Sequence, residues 1–113
     1  MPTTHWNPLT TLERLDHDRS LLRILISVFV EDFGGMIQHV QSSIDRCELM
    51  EAARGAHSLR GMALNFDAFI AASSAEALES ECSAGSDHGA RARLPRVRDD
   101  FDALHAELLL WTD

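Results

Sequence analysis

Residues 18–45 read DRSLLRILISVFVEDFGGMIQHVQSSID, and this stretch decides the fold. Within it Leu22, Leu25, Phe29, Phe33, Met36, Val40 and Ile44 recur at steps of three or four residues. Such spacing places them along one stripe of an α-helix, the side that must be covered by other elements. Asp18 suits the N-cap, where its carboxylate can accept from an unpaired backbone N–H. Gly34-Gly35 in the middle predicts a weakened or bent helix. The polar break at Asp45-Arg46 ends it.

Working outward, a third helix is expected from about Glu48 to Leu64, with Leu49, Ala53, Ala56, Leu59 and Ala63 on one face. Asn65 fits a left-handed C-terminal position and Asp67 the N-cap of the next helix, which together predict a tight antiparallel hairpin. The fourth helix runs to about Cys82, turning Ala68, Ala71, Ala75, Leu78 and Cys82 inward. Ser83 to Gly89 reads as a loop. The last helix carries Leu94, Val97, Phe101, Leu104, Leu108 and Trp111 at steps of 3, 4, 3, 4 and 3, a seam for helix packing. Pro95 should lie in its first turn or kink it.

A short first helix is expected over Thr11 to Leu15, with Pro2 and Pro8 in an N-terminal arm. Strand signals are weak, because Tyr is absent and no Asn-Gly or Asp-Gly turn occurs. The expected fold is all-α, an antiparallel four-helix bundle with a short additional N-terminal helix. It forms a single domain over residues 1–113, with residues 1–10 as arm and about 18–111 as bundle.

Composition narrows the function. The 113 residues carry a net charge of −8, and all ten basic residues are arginine. No nucleic-acid partner is expected, since phosphate backbones demand a positive footprint. An anionic membrane surface fits equally poorly. The apolar run Leu21 to Val30 is too short to span a bilayer, so no direct membrane insertion is expected. The first six residues show neither a basic n-region nor an apolar h-region, so no signal peptide is expected. Cys47 and Cys82 form no CxxC pair, and a reducing cytoplasm is the simplest location.

One segment departs from plain bundle logic: Ala56-His57-Ser58-Leu59-Arg60-Gly61. A glycine inside a helix costs about 1 kcal/mol relative to alanine. Gly61 lies one turn after His57 on the same side. His57 falls roughly 100° from the centre of the apolar face, at the solvent boundary. Arg54 and Arg60 stand three residues either side of it. An accessible imidazole, a bare backbone patch and two cations suit a nucleophile that handles an anionic phosphoryl group. The hairpin geometry brings Glu76 or Glu79 near His57.

These residues, with Asn65-Phe66-Asp67-Ala68, Leu78-Glu79 and the preceding Phe29-Val30-Glu31-Asp32, resemble the histidine-containing phosphotransfer (HPt) domain. That family's pattern is AHxLKG, a short turn usually containing glycine, then LE on the following helix. The resemblance covers essentially the whole chain. It implies a histidine phosphotransfer protein of a multistep two-component phosphorelay. The neutral imidazole of His57 would accept a phosphoryl group from a receiver-domain aspartate and pass it to another receiver aspartate. Receiver domains of a hybrid sensor kinase or response regulator are the implied partners. They would supply Mg²⁺, with no cofactor and no metal on this chain. No autonomous kinase activity is implied, and no P-loop or kinase glycine loop is present. Monomer is the family's default, and the chain could be free-standing or the excised C-terminal domain of a hybrid kinase.

Carried over residue by residue, His57 is the phosphoacceptor. Arg60 takes the family's usual lysine position and Gly61 the glycine that permits close approach. The resemblance favours Glu79 over Glu76 as the group that holds the other imidazole nitrogen. Arg54, Ser58, Gly61, Met62 and Leu64 are the candidate partner-binding residues, although Arg54 also fits a solvated helix position. Met50, Met62 and Leu64 flank the His57 side as a candidate docking patch. Two positions depart from the pattern: Asp67 replaces the turn glycine, which an N-cap role explains, and Met62-Ala63 replaces a smaller pair. His5, His17, His39, His88 and His105 share no metal spacing. The alternative function is a non-catalytic helical module that regulates a receiver or enzyme by docking, with His57 incidental. An independent hydrolase or metalloenzyme lacks a constellation to support it.

Overall fold

The computed structural model describes residues 4–111. Among them are five helices and no strand: α1 (Pro8–Arg14), α2 (Arg19–Asp45), α3 (Leu49–Leu64), α4 (Phe69–Ser83) and α5 (Asp87–Leu109). The protein is all-helical, as its periodicity predicts. Helix α2 packs on α3, α3 on α4, α4 on α5, and α5 returns to α2, so the contacts close a ring, while α1 touches α2.

Asp18 caps α2 by accepting from the Leu21 amide at 3.0 Å. The helix continues unbroken through Gly34 and Gly35, which are exposed and would meet nothing if given a Cβ. The stripe on α2 divides: Leu22, Phe29, Val40 and Ile44 are fully covered, whereas Leu25, Phe33 and Met36 lie at its half-buried margin. Ala52, Ala53, Ala56 and Ala63 of α3 and Ala71, Ala72 and Ala75 of α4 are all buried. These small side chains let neighbouring helices approach closely. Gly55 marks one such close approach, since a Cβ there would lie 2.5 Å from Val40 Cγ2 on α2.

The turns that follow α2, α3 and α4 share one construction. A residue with positive φ follows each helix: Cys47 (58°), Asp67 (54°) and Gly85 (74°). The next amide reaches back five residues, Glu48 to Ser43 O, Ala68 to Ala63 O and Ser86 to Glu81 O. This satisfies carbonyls the helix end leaves open. It also corrects the expected hairpin turn. Asn65 keeps right-handed helical angles, Asp67 takes the left-handed position, and Ala68 stands at the N-cap of α4. Asp67 tolerates that conformation as a short polar side chain, and its carboxylate receives Arg14 Nε of α1 at 3.1–3.2 Å.

Three further boundaries differ. Helix α1 begins at Pro8 and ends at Arg14, earlier than expected, because proline suits a first-turn position and the Asn7 side chain caps Leu9 N. Helix α5 begins at Asp87, so Gly89 lies in its first turn and accepts no loop role; Ser86 Oγ caps its amide. Pro95 therefore lies well inside α5 rather than in its first turn. Its ring leaves the Arg91 carbonyl without the usual helical donor.

The arm is a packed element. Trp6 is buried with its ring edge-on to Phe66, and its Nε1 donates to Thr11 Oγ1 at 3.0 Å. That hydroxyl donates in turn to Phe66 O at 2.8 Å, while the His5 and Trp6 amides donate to the Glu107 carboxylate of α5. Residues 1–3 of the arm, Pro2 included, lie outside the described residues.

Candidate functional site

Helix α3 buries its alanines and Leu59 against α2 and α4, which leaves one row facing water. Met50, Arg54, His57, Gly61 and Leu64 follow one another at steps of four and three, and all five are exposed. The His57 side chain is 65% exposed. Gly61 would meet nothing within 4 Å if it carried a Cβ, so the backbone one turn beyond His57 is open to an approaching surface.

Across the α3/α4 contact, Glu79 lies with Oε2 3.2 Å and Oε1 3.3 Å from His57 Nδ1. Glu79 is more sheltered than its partner, with 27% of its side chain exposed. An ionised carboxylate can only accept, so Nδ1 carries the proton in this pairing and donates it. A neutral ring then keeps its lone pair on Nε2, the nitrogen that Glu79 does not hold. Of the two glutamates the hairpin made candidates, Glu79 is the one that reaches the imidazole.

Arg60 is half-buried one turn from His57 and has no hydrogen bond or ion pair among the described residues. Its guanidinium is therefore uncommitted. Arg54 is not: its Nη1 donates to Glu51 Oε2 at 2.9 Å, and Glu51 also meets His39 Nε2 at 3.1 Å. The His39 ring and the Arg54 guanidinium hold the Glu51 carboxyl below the usual carboxylate range. Ser58 Oγ donates back to Arg54 O at 3.2 Å, which ties its hydroxyl to its own helix.

Met62 turns from the exposed row toward α2. With Ser58 it lines a cavity of about 440 Å³ between α2 and α3, whose α2 side includes Val28, Asp32 and Met36. Met50 and Leu64 stay on the exposed row and are not part of that lining. The α2 residues were missed as site candidates in the sequence. Their signal was present: Val28 and Asp32 recur at helical spacing with Leu25 and Met36, the members of the stripe that lie at its margin. Among the described residues no group of three His, Cys, Asp or Glu side chains could hold a metal ion, and no helix is long and apolar enough to cross a membrane.

No curated protein and no solved structure matches the chain. The family model for the Hpt domain does, over residues 24–107, which takes in α3, α4 and nearly all of α2 and α5. With an exposed histidine on α3, a carboxylate on its inner nitrogen and about three quarters of its length matched, the chain belongs to the Hpt domain family, the phosphotransfer carriers of phosphorelays.

Proposed function

We propose that His57 is the phosphoacceptor, taking a phosphoryl group from a receiver-domain aspartyl phosphate and returning it to a second receiver aspartate. Nε2 attacks phosphorus with its lone pair. The N–P bond forms as the P–O bond to the aspartyl carboxylate breaks, and that carboxylate leaves with the electron pair. The proton stays on Nδ1, where Glu79 offsets the positive charge that the ring acquires. Transfer onward is the same sequence reversed onto another carboxylate. Arg60, one turn along the helix from His57, would neutralise phosphoryl oxygens, and the bare Gly61 backbone would admit the receiver.

The observation that carries this reading is the asymmetry of the imidazole: Nδ1 engaged by a carboxylate at 3.2 Å, the rest of the ring open to solvent. The same reading takes the ring of helices as an antiparallel four-helix bundle with α1 as an addition. It takes the protein as a monomer acting in the cytoplasm, with Mg²⁺ held by the receiver and no kinase activity of its own.

Incubation with a phosphorylated receiver domain tests it. Acid-labile, base-stable label should appear on the wild type and vanish in His57→Gln, with helical circular dichroism unchanged. A mutant labelled as strongly as the wild type overturns the assignment.

A further inference from the structure

The cavity between α2 and α3 is apolar at its base, where Leu25, Phe29, Met36 and Met62 contribute, yet a carboxylate stands at its rim. Asp32 is exposed and has no hydrogen bond or ion pair among the described residues. It shares one face of α2 with Leu25, Phe29 and Met36, at offsets of seven, three and four residues. The apolar surface continues outward through Val28, 49% exposed, and Ile24, 60% exposed. Ser58, the neighbour of His57, lines the same cavity. A surface that docks on His57 therefore extends over this cavity.

Covering Asp32 has a consequence. A carboxylate removed from water without a partner loses hydration that nothing replaces. An apolar partner surface would be opposed by that loss, whereas one bringing a cation would not. A second copy of this chain is a poorer occupant, because two copies of net charge −8 repel each other.

We infer that Asp32, at the edge of this cavity, selects receivers that carry a lysine or arginine opposite it. The inference rests on the phosphotransfer reading and names the partner chemistry of that site. Arg60 toward the phosphoryl group and Asp32 toward a basic residue then set the register of the docked pair, as two opposite charges on either side of an apolar contact.

Single-turnover transfer tests it, using a receiver domain loaded with acetyl phosphate and shown to label wild-type His57. The rate is followed against receiver concentration for wild type, Asp32→Asn and Asp32→Lys. Asp32→Lys should raise the half-saturating concentration about tenfold or more and leave the limiting rate unchanged. Replacing the receiver's basic docking residue with Glu should restore affinity for Asp32→Lys alone. Half-saturation within twofold of wild type for Asp32→Lys overturns the inference while labelling of His57 stands. Absence of label on wild type with every receiver removes the phosphotransfer reading itself, and this inference with it. Circular dichroism of the variants serves as the folding control, and the exposure of Asp32 predicts no change there.

Discussion

Glu79 Oε2 lies 3.2 Å from His57 Nδ1, a contact between residues 22 apart in the chain that exists only because α3 and α4 pair in one register. The ring is mostly exposed and the carboxylate mostly sheltered, so the glutamate is the fixed member and the imidazole is the one it orients. Water competes for both, which keeps the bond in the range of an ordinary charge-assisted contact.

Loss of that contact should slow transfer without unfolding the protein. Glu79→Ala is expected to reduce the limiting rate of phosphoryl transfer about tenfold, the equivalent of roughly 1.4 kcal/mol. Glu79→Gln should fall between, since its amide oxygen still orients Nδ1–H but no longer offsets the ring's charge. Rapid-quench measurement of His57 labelling decides this. Wild-type rates in Glu79→Ala would make the residue a bystander.

The close approach of α2 and α3 at Gly55 gives a second prediction. Alanine is the better helix former by about 1 kcal/mol, so an open site would gain stability. Here the new Cβ falls 2.5 Å from Val40 Cγ2, and overpacking of a dense core costs about 1–3 kcal/mol. Gly55→Ala should therefore destabilise, and Val40→Ala should relieve part of the loss. Urea unfolding of both single mutants and the double mutant measures the coupling. A purely additive cycle would mean that the helices separate without resistance.

How much of this was readable in advance follows from what sequence distance allows. The stripe of Leu22, Phe29, Val40 and Ile44 and the alanines of α3 and α4 are periodic, and period alone places them inside. His57 at the boundary follows from the same wheel. The turn residue does not. Asn65 and Asp67 are both tolerant of left-handed angles, and the side chain that meets the Asp67 carboxylate is Arg14, 53 residues earlier. Trp6 was hidden for a similar reason. Its partners Phe66 and Glu107 lie far along the chain, and α1 is too short to display a period. Asp32 could be read as an acid, but the cavity beside it arises only when α2 and α3 meet.

The arm therefore carries a stability prediction that the helical pattern alone would not suggest. Trp6 is 4% exposed, packs edge-on against Phe66 and donates to Thr11. Truncation of a buried tryptophan costs about 3–5 kcal/mol. Trp6→Ala should lower the chemical denaturation midpoint by a corresponding amount, while Trp6→Phe, which keeps one aromatic ring but loses the Nε1–Thr11 bond and part of the buried volume, should lose less than Trp6→Ala. An unchanged midpoint in Trp6→Ala would show that the arm contributes nothing to the folded state.

The two cysteines differ enough in environment to report on the bundle directly. Cys47 is exposed in the turn after α2, whereas Cys82 is fully covered on α4, where burial and then the nearby Glu81 charge push its thiol above the ordinary value. Alkylation requires both access and the thiolate, and Cys82 is short of each. Iodoacetamide at mildly alkaline pH should give one adduct on the native protein, at Cys47, and a second only after denaturant opens the helices. Mass spectrometry of the intact chain and its peptides distinguishes the two sites. Because the second adduct needs an opening of α4, its rate should rise in Trp6→Ala and Gly55→Ala if these open the bundle globally. A Cys82 adduct that forms natively as fast as that on Cys47 would contradict the packing of α4 against its neighbours.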